Sequence, residues 1–442
     1  MSLGTLEKDS KSVTTPHVSA QRDRRDIFRG SMFSIGGFLL RMASRVPLLF
    51  ITGRLYGPAL FGEWVSTTAL IELAGVIGTL GFKLTLFRFL HDAKERPPED
   101  VLRHVLVLTL SLAFVLAFIL WLASGELAQL FNTPAIAPKI AFLAWFIPAS
   151  VLTDVLLAAT WAKRVVHFDV VARSIVEPAT LTIASYTLFR LGFSNMGLPI
   201  ATAVASGGLA LAAVISFARL YSWRELLRGR LRVAYLLELA RSSAFTSVHD
   251  VITLLFSRID ILAVLYFFDA EAVGLYGMAQ QFLTVVEKIT LSFTPVLIAV
   301  LTEALRSGDV HRARNQLFAV GGRILLMQTP VIIVFFFAGH FLLGLVGGPA
   351  FSAAWSVLMI LSLGAWVNGV LGLSELALLS IRPHANPQAS LLRLALYAIV
   401  LVPLQALLGS RGVALSNVLA TFAGNLARVW VCRPALREVT AP

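Results

Sequence analysis

Residues 105–121 read VLVLTLSLAFVLAFILW and residues 320–338 read VGGRILLMQTPVIIVFFFA, with one charge between them, Arg323. A helix needs roughly 17–25 mostly apolar residues to cross the hydrocarbon core of a bilayer. Both stretches have that length, and neither shows the ten-residue polar–apolar alternation of an outer-membrane barrel strand. The whole chain follows their lead. Its 442 residues are 57% hydrophobic and 14% charged, with a mean hydropathy of +0.79. Soluble domains carry roughly 25% charged residues, so this composition lacks the polar surface that water demands. In lipid, backbone N–H and C=O groups must be satisfied internally, which a helical bundle achieves.

Apolar runs set against turn signals predict helices near 31–51, 62–84, 104–123, 139–160, 170–190 and 197–218. A second series follows near 243–267, 273–298, 317–339, 354–380, 388–408 and 412–431. Lysine and arginine then separate by side. The even-side loops and both termini hold 24, including Arg22, Arg24 and Arg25 in the N-terminal arm and Arg224, Arg228, Arg230 and Arg232 in the central loop. The opposite loops hold three, Arg54, Arg190 and Arg411. The positive-inside rule puts both termini in the cytoplasm. The formal charge of +12 is therefore topological rather than the footprint of a nucleic-acid binder. The basic arm and central loop either lie against anionic lipid or serve as orientation signals alone. The arm carries no cleavable leader pattern.

The two halves of the chain resemble each other. Ser44-Arg45-Val46-Pro47-Leu48 matches Ser257-Arg258-Ile259-Asp260-Ile261, and Leu60-Phe61-Gly62-Glu63-Trp64 matches Ala272-Val273-Gly274-Leu275-Tyr276. Leu80-Gly81-Phe82 matches Leu291-Ser292-Phe293, and Pro134-Ala135 matches Pro349-Ala350, all at spacings of 211 to 215 residues. An even number of helices per repeat makes the halves parallel, related by an axis along the membrane normal. The expected fold is all-α: a polytopic membrane protein of about twelve transmembrane helices in two parallel six-helix lobes around a central cavity. The expected divisions are a basic arm (1–30), a first lobe (31–218), a basic linker (219–242), a second lobe (243–431) and a tail (432–442).

Ionisable residues at membrane depth are costly and face protein or a wet cavity. On the first helix, Ser34, Gly37, Arg41, Ser44, Arg45 and Thr52 share an arc of about 100°. Thr68, Glu72, Gly75, Thr79 and Lys83 do so on the second. On the seventh, Ser243, Thr246, Asp250, Thr253, Ser257 and Asp260 line up with Arg258 to one side, and on the eighth Gly277, Gln280, Thr284, Glu287 and Lys288. These are the leading helix pairs of the two halves. Two readings compete: a hydrated cavity between them, or helix packing through small and hydroxylated residues. Arg41, Arg45 and Arg258 suit phosphate through their planar forks, although Glu72, Asp250 or Asp260 could neutralise them. The candidate substrate-binding set is thus Arg41, Arg45, Arg258, Lys288, Glu72, Gln280 and Thr284, with Asp250, Asp260 and Glu287 as candidates for a coupling ion or proton. Asp154, Glu177, Glu375 and Asn368 are weaker intramembrane signals.

Catalytic patterns are missing. There is no phosphate-binding loop ending in Lys-Ser/Thr and no His-Glu-x-x-His. The single cysteine, Cys432, can neither form an intrachain disulfide nor anchor a metal cluster. The loops are too short for an enzymatic domain, and no cofactor or metal is expected.

Arg54-Leu55-Tyr56-Gly57-Pro58-Ala59-Leu60-Phe61-Gly62 resembles the Leu-Gly-Pro-x-x-Phe/Tyr-Gly loop of the polysaccharide (O-antigen and exopolysaccharide) flippases. Gly81-Phe82 with Arg88-Phe89-Leu90, and Asp260 followed by Val273-Gly274-Leu275-Tyr276, are similar to further segments of those proteins. They belong to the multidrug/oligosaccharidyl-lipid/polysaccharide exporter superfamily. Leu55-Tyr56 departs from the family's usual Tyr-Leu order. The resemblance implies a cavity lined by the first, second, seventh and eighth helices. It also implies a substrate, an undecaprenyl-diphosphate-linked oligosaccharide carried from the inner to the outer leaflet of a bacterial inner membrane. Membrane lipids are implied partners, as are a polymerase and other polysaccharide-assembly proteins. A cation-coupled multidrug exporter, a major-facilitator transporter and a non-transporting scaffold of an assembly complex are the competing functions. The loop from Phe87 to Arg103 lacks the Gly-x-x-x-Asp-Arg signature of major-facilitator proteins.

Overall fold

The computed structural model describes residues 45–92, 97–163, 165, 167–306, 310–381 and 386–438. They form an all-α bundle, and no strand occurs among them. The end of the first expected helix widens into a π-helical turn, Thr52–Tyr56, and Gly57, at φ 74°, redirects the chain into α1 (Gly57–Thr79). Pro58 occupies the first turn of α1, where its missing N–H leaves no intrahelical bond unmade. The second expected helix does not run straight through to residue 84. It breaks at Leu80 and Gly81, with φ of 49° and 74°, before α2 (Phe82–Asp92) begins.

The first half continues with α3 (Pro98–Leu122) and the pair α4 (Ala137–Ala144) and α5 (Ile147–Ala162). That pair forms one expected span, from Pro134 onward, bent by 49°. It ends with α6 (Glu177–Arg190) and α7 (Gly197–Ala218). A short basic helix, α8 (Trp223–Arg228), lies in the linker, N-capped by the Ser222 hydroxyl. The second half comprises α9 (Val233–Phe267), α10 (Ala270–Arg306), α11 (Val310–Gly347), α12 (Trp355–Leu371), α13 (Leu373–Ile381), α14 (Asn386–Leu408) and α15 (Ser410–Glu438). Among the described residues, six stretches are long and apolar enough to cross a membrane unaided, or seven with the bent pair as one span. Neither α9 nor α10 is among them. Their polar stripes dilute the apolar signal, so they depend on neighbours for their place in the bundle.

The repeat is visible in three dimensions. Pro134 and Pro349, paired in the sequence, each open a 3₁₀ turn, Pro134–Ile136 and Pro349–Ala354. Gly62 and Gly274, also paired, meet across the boundary between the halves. A Cβ on Gly62 would stand 1.7 Å from the carbonyl oxygen of Ala270, and one on Gly274 2.0 Å from that of Pro58. Each glycine thus lets its helix rest on the opposite helix's first-turn carbonyl. Around this seam Arg54 donates to the Leu345 carbonyl at 2.7 Å, and Phe61 meets the edge of the Phe351 ring at 5.8 Å. The largest buried cluster, including Phe61, Val65, Val264, Val273, Tyr276 and Leu358, spans both halves here. A second core, with Phe82, Leu102, Val155 and Phe217, belongs to the first half and the start of α9.

Forcing atoms into a packed contact costs typically 1–3 kcal/mol. Gly62→Ala is expected to lose stability on at least that scale, whereas Gly75→Ala, at a glycine with open space around it, stays within about 0.5 kcal/mol. Thermal unfolding of the two purified variants in one detergent checks this.

Candidate functional site

The polar side chains of the first half mostly satisfy each other. Lys139 and Glu63, both buried, form a direct ion pair between α4 and α1. Asp154 on α5 receives Lys83 at 3.3 Å and also pairs with Arg173, which reaches Asp169 at 2.8 Å. The stripe hydroxyls of α1 bond back to their own helix, Thr68 to the Trp64 carbonyl at 2.9 Å and Thr79 to that of Val76 at 2.8 Å. Such back-bonding satisfies the hydroxyls and lets helices pack closely. α1 contacts α9 and α10 along this region, but the stripe is only partly covered: Gly75 has open space around it, and the side chains of Glu72 and Lys83 stay half exposed.

The second half behaves differently. A cavity of about 400 Å³ opens among α9, α10, α12, α14 and α15, and Arg45 is its one wall residue from the first half. From α9 come Ser257, Arg258 and Asp260, and from α10 Gln280, Thr284 and Glu287. Arg258 points both Nε and Nη2 at a single oxygen of Glu72, at 2.8 and 2.7 Å, joining the halves at mid-helix depth. Glu72 remains half exposed, so an anion in the cavity can reach the same guanidinium. Asp260 is buried, and its Oδ2 accepts from the Tyr276 hydroxyl at 2.7 Å and from Asn417 Nδ2 at 2.5 Å. Its other oxygen accepts no hydrogen bond among the described residues.

Of the ten residues singled out in the sequence, Arg45, Arg258, Gln280, Thr284, Asp260 and Glu287 meet on this wall, and Glu72 joins through its ion pair. Lys288 and Asp250 are half-buried and outside the lining, and Arg41 lies outside the described residues. Sequence reasoning missed Arg393, Gln281, Asn417 and Thr421, which complete the wall. Arg393 stacks on Phe256 at 4.4 Å and donates to Asn417 Oδ1 at 3.2 Å. A charge inside the expected 388–408 span was the available signal, because an intramembrane arginine always needs a partner or a cavity. Neither Arg45 nor Arg393 has an ion-pair partner among the described residues. The arrangement therefore presents guanidiniums, the carboxylates of Asp260 and Glu287, and amide and hydroxyl groups to one polar space. It is suited to an anionic group bearing hydroxyls. Groups of three or more metal-ligating side chains do not occur among the described residues.

Comparison with known proteins places these features. Residues 51–357 match the family described as "Polysaccharide biosynthesis protein". No curated protein sequence matches the chain. Among solved structures, the lipid II flippase MurJ in an inward closed conformation aligns with a TM-score of 0.72 at 13% identity, over 92% of this chain and 90% of that one. An inward-facing multidrug resistance MATE family transporter of the MOP superfamily aligns with a TM-score of 0.74 at 13% identity, over 91% and 95%. The Vibrio cholerae MATE transporter VcmN in its bent form gives 0.56 at 16% identity, over 90% and 98%. The shared fold is that of polytopic membrane transporters.

Because Glu72 and an incoming anion compete for one guanidinium, Glu72→Gln is expected to tighten inorganic pyrophosphate binding about tenfold, a change of about 1.4 kcal/mol. Arg258→Gln is expected to weaken it. Titration calorimetry on the purified chain reads both.

Proposed function

The chain belongs to the polysaccharide biosynthesis protein family, and we propose that it is a flippase that moves an undecaprenyl-diphosphate-linked oligosaccharide from the inner to the outer leaflet. The observation that carries this reading is the polar wall of the second half. There Arg45, Arg258 and Arg393 face one space, with Gln280, Thr284 and Asn417 beside them. A diphosphate brought into a low-dielectric setting must be met by charge, and guanidiniums meet phosphate oxygens in a fixed fork. Amides and hydroxyls then serve the sugar. The prenyl tail stays in the bilayer.

In this reading the site is bistable. The Arg258–Glu72 pair holds the halves together when the cavity is empty, and the diphosphate takes the place of Glu72 when it is loaded. A space of about 400 Å³ admits the diphosphate and the nearest sugar rather than a whole oligosaccharide. Loading therefore widens the gap between the lobes 31–218 and 243–431, with the linker 219–242 joining them. Rocking of the lobes exposes the head group to the other face. The basic charge of the arm, linker and tail supports termini on the cytoplasmic side, and a polymerase would receive the product. A second reading, a cation-coupled multidrug exporter, rests on Asp260 and Glu287 in the same wall. It predicts drug sensitivity, not polymer loss, when either is neutralised.

Arg258→Ala is expected to abolish surface-polymer export while the protein remains at normal abundance in the membrane. Wild-type export by a well-expressed Arg258→Ala chain would refute the flippase reading.

A further inference from the structure

Below the main cavity lies a smaller chamber of about 160 Å³, among α9, α13, α14 and α15, that shares Thr253, Phe256 and Arg393 with it. Its chemistry is two-sided. One wall carries two guanidiniums, Arg393 and Arg428, against a single carboxylate, Glu375, which holds Arg428 at 3.2 Å. Arg428 is buried and further fixed by Ser390 Oγ at 3.0 Å and Asn425 Oδ1 at 2.8 Å. The other wall is apolar, from Val248, Ile252 and Phe256 of α9, and Val248 is exposed. At its rim stands His249, also exposed.

Depth gives the chamber meaning. α14 opens at Asn386 with Asn386-Pro387-Gln388 ahead of its apolar run, so Ser390 sits about one turn in from the polar start of the helix, the depth expected of phospholipid head groups. Arg393 is three residues further in, roughly 4.5 Å deeper at 1.5 Å per residue. A guanidinium-lined, apolar-backed chamber at head-group depth matches an amphiphile with phosphate at the end of a hydrocarbon chain. Resting on the flippase reading, we propose that this chamber is the docking site for the diphosphate of the prenyl-linked substrate before it reaches the main cavity. Arg393, reachable from both spaces, hands the phosphate from one to the other. Arg428 is a positioning residue held by Glu375 and Ser390. Phosphate oxygens are the shared chemistry, and the prenyl chain on the Val248–Ile252 face distinguishes the lipid from free pyrophosphate.

The test uses the full chain in nanodiscs, with undecaprenyl diphosphate and inorganic pyrophosphate as separate probes. His249→Glu, at an exposed position outside the main cavity, is expected to weaken undecaprenyl diphosphate binding about tenfold, and His249→Lys to tighten it. In a Cys432→Ser background, undecaprenyl diphosphate is expected to shield Ser390→Cys from maleimide. Inorganic pyrophosphate is expected to bind the wild-type chain at least about a hundredfold more weakly than the lipid. Unchanged lipid affinity in both His249 variants, with binding lost in Arg258→Ala, would overturn the chamber and leave the main cavity as the head-group site. Equal affinity for pyrophosphate and lipid would overturn the lipid assignment. Absence of lipid binding to the wild-type chain would instead overturn the flippase reading itself.

Discussion

A charge in hydrocarbon costs on the order of 2.5–3.5 kcal/mol even by the mildest scale, and this constraint shapes the two halves differently. In the first half it is met by closed pairs: Lys139 on Glu63, and Lys83 and Arg173 on Asp154. Removing one partner of a buried pair leaves an uncompensated charge, a loss of about 3–5 kcal/mol. These pairs therefore tie α4 to α1, and α5 to α2 and to the turn around Arg173. In the second half Asp260 leans on neutral donors, and Arg258 borrows its counter-charge from across the boundary. Arg45 and Arg393 turn to the cavity. One half is a braced frame. The other carries the chemistry.

How much of this could be read from the sequence depends on the range of the interactions. The spans were legible because apolar length is local, as in α3 and α7. The repeat was legible too, and its marks have physical roles: Pro134 and Pro349 open equivalent 3₁₀ turns, while Gly62 and Gly274 seat two backbones. Periodicity put Asp260, Gln280, Thr284 and Glu287 on the stripes of α9 and α10, with Arg258 to one side, and all five share one wall. What periodicity cannot show is which neighbour a stripe meets. The stripe of α1 had the same angular signature as that of α9, and the hydroxyls of both bond back to their own helices, yet only the α9 stripe lines the cavity. Arg393 stood out as a charge within an apolar span, but its place beside Asn417 and Asp260 could not be read. Arg393 and Asn417 sit over 130 residues from Asp260 in the chain, and nothing local marks them as its neighbours.

In the carrier reading proposed above, the moving parts are the two halves. The contacts between those halves differ in kind along the bundle. At the Gly57 end they are backbone on backbone, with aromatic rings filling in. At mid-depth there is one ion pair beside a cavity. At the break between α1 and α2, Gly81 lies against the backbone of Thr246 and Ser247. A substrate that competes for charge acts only on the middle contact.

The glycine seam has a consequence for the environment in which the protein works. Contact between Cα atoms and carbonyl oxygens involves no titratable group, so neither acid nor electrolyte touches it. The ion pair at mid-depth is half open to the aqueous cavity, where dissolved ions screen charges over a Debye length of about 8 Å at physiological strength. Saltier surroundings therefore soften the centre of the interface while its rim keeps its grip. The interface has a backbone seam insulated from the medium and an ion pair that feels it.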